Sequence, residues 1–451
     1  MRIRIFQSRE GDCLLLEGGD GTDATDAAGR ILCDGGRSVS MRAHAAPYLS
    51  ELREAGAALD LVYVSHIDQD HIEGVEHLLE SAVRWMIHDF HRANGDNGVR
   101  EPDVPRPPEI RNLWHNAFRD QVAHNLVAEI EELMAASAPV LLATGSPELV
   151  EAGRDMANVA ASIPQALRVS RYAGAELLNI PLNKLAGSPD FDGKLLMVRD
   201  GQSPETFGSL RVTVVGPTKR ELDALRRGWN NWLETADGRN GVRAVREQIA
   251  RRLREFEARL LEGVPAPSLD LPGMTPYKGV TTPNIASLLL LVEEGEGEDR
   301  RRVLLTGDSH PDMILDGLEK SGVIGAAGDP LHVDVLKFPH HGSEHNMTRE
   351  FGRRVSADHY LFCGDGSNSN PEITVLDQVY KSRLGPASYR ARAPIARDRP
   401  FAFWFSTHPD VPGGETAHLR RIVEWAGRHE ERSGGLLTCH FNREDVLDLT
   451  P

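Results

Sequence analysis

The chain reads as an α/β protein, and three observations say so. Apolar runs of strand length alternate with amphipathic stretches at helical spacing. Histidines and aspartates fall directly after several of those runs, where open sheets present their sites. A composition of 40% hydrophobic and 26% charged residues over 451 positions allows a large packed core, with no apolar run as long as a membrane span.

From the N-terminus, Met1-Arg2-Ile3-Arg4-Ile5-Phe6 alternates like a first strand and carries no signal-peptide core. Strands are expected near 2–7, 13–17, 30–34, 61–65 and 84–88, and helices near 42–57 and 72–82. Residues 92–110, with Asn94-Gly95-Asp96-Asn97-Gly98 and then several prolines, read as a surface loop. Residues 119–136 put Val122, Leu126, Ile130 and Leu133 on one helical stripe, and 147–166 reads as a second helix. A strand near 209–215 ends in Gly216-Pro217-Thr218, and a helical pattern follows over 218–262, with Trp229 and Trp232 read as core. The prolines from Pro265 to Pro283 make 263–283 an irregular connection. Strands near 285–293 and 301–307 form a hairpin over an acidic loop. The strand Val333–Phe338 follows, then a strand at Phe401–Phe405, a helix near 415–431 and a strand at Leu436–Phe441.

The chemistry is concentrated in Ser65-His66-Ile67-Asp68-Gln69-Asp70-His71, after the strand Leu61-Val62-Tyr63-Val64. Period-two spacing turns His66 and Asp68 to one side, and Asp70 and His71 enter the next helix facing the same point. An N-cap at Asp70 accounts for one carboxylate but not for two flanked by two histidines. Imidazole and carboxylate together suit zinc, manganese or iron. Two later strands also end in ligand types: Leu304-Leu305-Thr306-Gly307-Asp308, and Leu336-Lys337-Phe338-Pro339-His340-His341-Gly342-Ser343. These strand ends suggest a dinuclear site in which Asp308 bridges and His340 or His341 completes the shell, the other being a hydrogen-bonded structural imidazole. His310 reads as a helix N-terminal residue, and Asn346 and Thr348 as caps of the following helix.

These segments, with Gly11-Asp12-Cys13-Leu14-Leu15-Leu16 and Cys33-Asp34-Gly35-Gly36, resemble the metallo-β-lactamase superfamily, in particular the β-lactamase-like domain of ComEC-type DNA-uptake proteins and its stand-alone bacterial relatives. The resemblance covers about residues 1–120 and 285–380. It implies a four-layer αββα sandwich: residues 1–120 and 284–380 as the two halves, 121–283 as a mostly helical insertion, and 381–451 as a C-terminal α/β extension. It also implies two divalent ions, Zn or Mn, a second-layer role for Asp34, and a further ligand of which His115 is a candidate beside its reading as a core or surface histidine. Asp68 stands where the superfamily usually has histidine, and Asn370 where related sequences often have one.

The expected function is metal-dependent hydrolysis by a phosphodiesterase or nuclease, with nucleic acid as the leading substrate. Asp70 would orient or deprotonate a water, and Ser343 or the non-ligating member of the pair, such as His341, would assist the leaving group. A small ester, lactone or thioester hydrolase is the alternative, as is an effector controlled by an operon-encoded partner in a bacterial defence system. The net charge of −16 opposes a broad grip on nucleic acid. The helical segment Arg239–Arg259 reads as a solvated face, whereas Tyr380–Arg399, with Lys381, Arg383, Arg390, Arg392 and Arg397, is expected to meet phosphates. Cys13, Cys33, Cys363 and Cys439 show no paired spacing, which points to reduced thiols and a cytoplasmic location, and the short apolar runs point to no membrane association.

Overall fold

The computed structural model describes residues 1–19, 28–96, 98–116, 157, 162–185, 195–223, 284, 286–325, 328–413 and 416–451. The expected helices at 119–136, most of 147–166 and most of 218–262 lie outside these residues, as do Arg239–Arg259, Trp229, Trp232 and the 263–283 connection.

The fold is mixed α/β with two sheets. Strands β1 (Arg2–Phe6), β2 (Leu14–Glu17), β3 (Arg30–Cys33), β4 (Leu61–Val64), β5 (Leu113–His115) and β14 (Val446–Leu449) form a six-stranded sheet in the order β14-β1-β2-β3-β4-β5. Strands β6 (Glu205–Phe207), β7 (Leu210–Gly216), β8 (Leu289–Glu294), β9 (Arg301–Leu305), β10 (Leu331–Lys337), β11 (Val355–Phe362), β12 (Phe401–Phe405) and β13 (Leu437–Phe441) form an eight-stranded sheet in the order β13-β12-β11-β10-β9-β8-β7-β6. β6 and β7 fall in the stretch expected to be an insertion, yet they are strands of this sheet. The C-terminal segment divides: β12 and β13 extend the eight-stranded sheet, and β14 pairs antiparallel with β1 across the molecule.

Strand alternation builds the layers. On β4, Leu61 and Tyr63 join one cluster while Val62 and Val64 join another, so both faces are covered and the run reads as continuously apolar. One cluster packs Ile3, Leu14, Ile31 and Trp114 of the first sheet against Val212, Leu290, Val303 and Trp404 of the second. The outer face of the first sheet packs on helices α1 (Ala46–Glu54) and α2 (Gln69–Ala93) through Leu49, Ile72, Val75 and Leu79. The outer face of the second packs on α3 (Pro311–Lys320), α4 (Arg349–Arg354), α5 (Ile373–Leu384) and α6 (Thr416–Ser433) through Ile314, Phe351, Leu376 and Trp425. Each such side chain contributes about 1.5–3 kcal/mol on burial.

The strand expected at 84–88 is not one. These residues continue α2, whose stripe of Leu78, Leu79 and Val83 keeps the helical period until Asn94 and Gly95, where φ is +87°.

Close backbone approach explains two of the glycine motifs. A Cβ on Gly74 would lie 1.9 Å from the Gly35 carbonyl oxygen, where β3 runs out against α2. There the Gly35 and Gly74 amides donate to the His71 and Gly36 carbonyls at 2.9 Å. Gly74→Ala is therefore expected to destabilise the chain by about 1–3 kcal/mol, read as a lowered urea midpoint at unchanged slope. Stability within a few tenths of wild type would show that this contact yields.

Candidate metal centre

β3, β4 and β5 are parallel, and so are β9, β10, β11, β12 and β13. Parallel pairing puts the residues after β4, β9 and β10 at the C-terminal edges of the two sheets, and there they converge. His71 Nε2 lies 3.4 Å from Asp308 Oδ1 and 3.7 Å from Asp70 Oδ2. His341 Nε2 lies 3.0 Å from Asp70 Oδ2 and 3.2 Å from Asp308 Oδ2. His66 Nε2 is 3.4 Å from Asp68 Oδ2 and 4.0 Å from Asp308 Oδ2, and His340 Nε2 is 3.8 Å from Asp308 Oδ2. Asp12, His71, Asp308 and His341, all buried, can bring one donor atom each within 4.8 Å of one another.

Local structure dictates these positions. Asp68 occupies the N-cap position of α2 but makes no side-chain cap bond, which leaves its carboxylate facing His66. His340 and His341 have φ of 49° and 54°, in the left-handed region that costs non-glycine residues about 1–3 kcal/mol each. The turn is held by the His340 amide donating to the Gly307 carbonyl (3.2 Å) and the Ser343 amide donating to the His340 carbonyl (2.9 Å).

The surroundings fix which nitrogen each histidine presents. Asp34 Oδ2 sits 2.9 Å from His71 Nδ1, while its Oδ1 accepts the Ser65 amide (2.7 Å), so it orients the His71 ring from behind. Asn346 commits its amide nitrogen to the Asp308 and Ser309 carbonyls at 3.1 and 3.0 Å. Its oxygen must then accept from His340 Nδ1, 2.9 Å away, leaving a lone pair on Nε2. The sequence reading of Asn346 as a helix cap is thereby corrected: it ties the β9 and β10 ends together, and Thr348 alone caps α4, accepting from the Phe351 amide at 3.1 Å. His310 does cap α3, its Nδ1 accepting from the Asp312 amide at 3.2 Å. Both members of the histidine pair thus turn Nε2 toward Asp308, where sequence expected one of them to be purely structural.

Electrostatics match an ion site. Burial disfavours charge on Asp12, but Lys337, His341 and His71 outweigh it and hold the carboxyl at about 2. Burial likewise opposes ionised Asp308, yet His341, His71 and Lys337 bring its pKa well below the ordinary value. Burial lowers the His71 and His341 imidazoles, while Asp308 and the neighbouring carboxylates raise them well above 6.5. His340 is lowered, burial exceeding the pull of Asp308. His66 Nε2, His71 Nε2, both ring nitrogens of His341, Asp68 Oδ1 and Asp12 Oδ1 are buried without a hydrogen-bond partner among the described residues. Nitrogen and oxygen atoms of these types, buried and without hydrogen-bond partners among the described residues, fit a divalent transition metal, which would displace the proton that His71 and His341 hold in its absence.

Other expected residues lie elsewhere. The β4–β5 register sets His115 opposite Val64, beside the metal loop. Its ring nitrogens are buried and unpartnered among the described residues, and burial lowers its pKa to about 4. No ion pair, hydrogen bond or ring contact joins it to the cluster among those residues. The Ser343 hydroxyl makes no hydrogen bond to the cluster either. Lys337, fully buried, was not anticipated: it pairs with Asp12, lies 3.4 Å from Asp308 Oδ1 and donates to the Gly307 carbonyl at 3.0 Å.

The arginine-rich segment is at the other end of the sheet. The Arg392 amide donates to the Arg353 carbonyl and its guanidinium to the Gly328 carbonyl, at the N-terminal ends of β11 and β10. The seven residues of β10 separate that end from His340 by about 20 Å. Arg383 is buried and donates to the Ala357, Ala396 and Arg399 carbonyls, and Arg392 pairs with Glu350 at 2.9 Å. No helix among the described residues is long and apolar enough to cross a membrane.

No protein-family model matches the chain. A stretch of 165 residues, 34% of this chain and 6% of the matched protein, is 30% identical to microtubule-associated protein 1A of Rattus norvegicus. Another of 84 residues, 17% of this chain and 3% of the matched protein, is 32% identical to microtubule-associated protein 1A of Mus musculus. The chain therefore spans only a small part of the length of the curated proteins it matches, and the site has to carry the functional argument.

Proposed function

We propose that the chain is a metal-dependent hydrolase of phosphodiesters, built as a four-layer αββα sandwich of the metallo-β-lactamase type. The observation that carries this reading is the convergence of His66, Asp68, Asp70, His71, Asp308, His340 and His341 from three strand ends of two sheets, with donor atoms of His66, Asp68, His71 and His341 buried and without a hydrogen-bond partner among the described residues. These residues would hold two divalent ions, zinc or manganese. Such ions supply the charge that lowers the pKa of a water and neutralises a transferring phosphoryl group.

The chain's own residues do the rest. Asp308, with His71 on one oxygen and His340 and His341 on the other, holds the two halves of the ligand set in register. The Asp70 side chain is 21% exposed against 3% for Asp308, so it is the carboxylate that entering water meets and the one placed to take its proton. Both histidines of the pair face Asp308 and the Ser343 hydroxyl meets none of the centre.

The position of the arginines favours a small phosphodiester over a nucleic-acid polymer. Arg390→Ala with Arg392→Ala should leave turnover of bis-p-nitrophenyl phosphate within about twofold of wild type, because these residues lie about 20 Å away. A loss beyond tenfold would bring that segment back to the site. The reading itself is tested by assaying chelator-treated protein, with and without added zinc or manganese, on bis-p-nitrophenyl phosphate, DNA, RNA and p-nitrophenyl acetate. Metal-restored cleavage of the diester is expected. Turnover of the acetate alone would move the assignment to an ester hydrolase.

A further inference from the structure

We propose that Asp12 and Lys337 form a positioning pair for the centre, and that neither is itself a ligand. The inference rests on the metal-hydrolase reading for the ions it would serve. Asp12 Oδ1 lies 3.2 Å from His341 Nδ1, on the side of the ring away from Asp70 and Asp308. Neither atom has another partner among the described residues, and the carboxylate stands on the Nδ1 side of the ring, the side Asp34 occupies for His71, so Nε2 is the nitrogen left for an ion. The other Asp12 oxygen pairs with Lys337, whose ammonium also reaches the Gly307 carbonyl and Asp308.

The pair joins the two sheets. Asp12 follows β1, and its amide donates to the Asp70 carbonyl at 3.3 Å. Gly11 has no room for a side chain there, since a Cβ would lie 1.7 Å from that carbonyl oxygen. Lys337 ends β10, three residues before His340. The pair therefore sets the distance between ligands from one sheet and ligands from the other. A buried ammonium is costly unless its partners are fixed, and here the backbone of both turns fixes them.

The test uses the full chain loaded with cobalt(II). Affinity and stoichiometry come from calorimetry, the visible absorption bands report how His341 is held, and circular dichroism reports folding. Asp12→Ala and Lys337→Met should bind the same number of ions about 10–100-fold more weakly, with shifted bands. Asp12→Asn, which keeps an oxygen facing Nδ1, should recover most of the affinity lost in Asp12→Ala. Wild-type affinity and bands in folded Asp12→Ala would overturn the proposal. Loss of a whole ion from both Asp12 variants would also overturn it, by making Asp12 a ligand. Should Asp12→Ala fail to fold, Lys337→Met is judged by the same affinity and bands. No cobalt uptake by wild type would overturn the metal reading and this inference together, whereas unchanged variants overturn the inference alone.

Discussion

Asp308→Ala should abolish hydrolysis, lowering kcat/KM by at least about a thousandfold, or roughly 4 kcal/mol of transition-state stabilisation. Among the described residues its carboxylate is the one group within 4.0 Å of His66, His71, His340 and His341 together, so its removal reaches each of these histidines. Metal content should fall with activity. The fold should survive, because Lys337 keeps Asp12 and the Gly307 carbonyl as partners. Circular dichroism, elemental analysis and steady-state kinetics on one preparation check all three expectations. A variant with wild-type turnover and metal content would remove Asp308 from the centre.

Asp70→Asn should cut kcat by about 10²–10⁴-fold with little change in fold. The amide keeps the shape of the carboxylate but cannot accept a proton from water, and it contacts His341 and His71 without their charge complement. The measurement is kcat with metal content in parallel. The ion count should drop by at most one while turnover collapses. A kcat within threefold of wild type would mean that Asp70 neither takes the proton nor holds an ion that matters.

Much of the fold was legible because strand period and apolar run length are local. β1 to β4, the β8–β9 hairpin, β10, β12 and β13 all lie where the pattern placed them. β14 escaped notice because Val446-Leu447-Asp448-Leu449 is short and its partner β1 is at the opposite end of the chain. The 84–88 strand was misread because Trp85, Met86 and Ile87 form a β-like run, while the helical stripe that decides the matter started earlier, at Leu78.

The centre was legible for the same reason in part. His66, Asp68, Asp70 and His71 share one loop, and Asp308, His340 and His341 follow recognisable strands. Asp12 and Lys337 stand inside the quoted motifs, but nothing in the sequence gives either a role: one is an aspartate in a turn, the other a lysine closing a strand. Their meaning arises only when two sheets bring them together. The arginine segment shows the converse limit. Composition can find a cluster of cations, but the parallel direction of β10 and β11 decides which end of the sheet receives it.

The converging side chains are proposed to hold ions. Elemental analysis of protein purified without chelator, followed by titration of the stripped protein with zinc and manganese, tests this most directly. About two ions per chain are expected, lost together in Asp308→Ala. Folded wild-type protein that carries no metal and takes up none on titration would contradict the proposal.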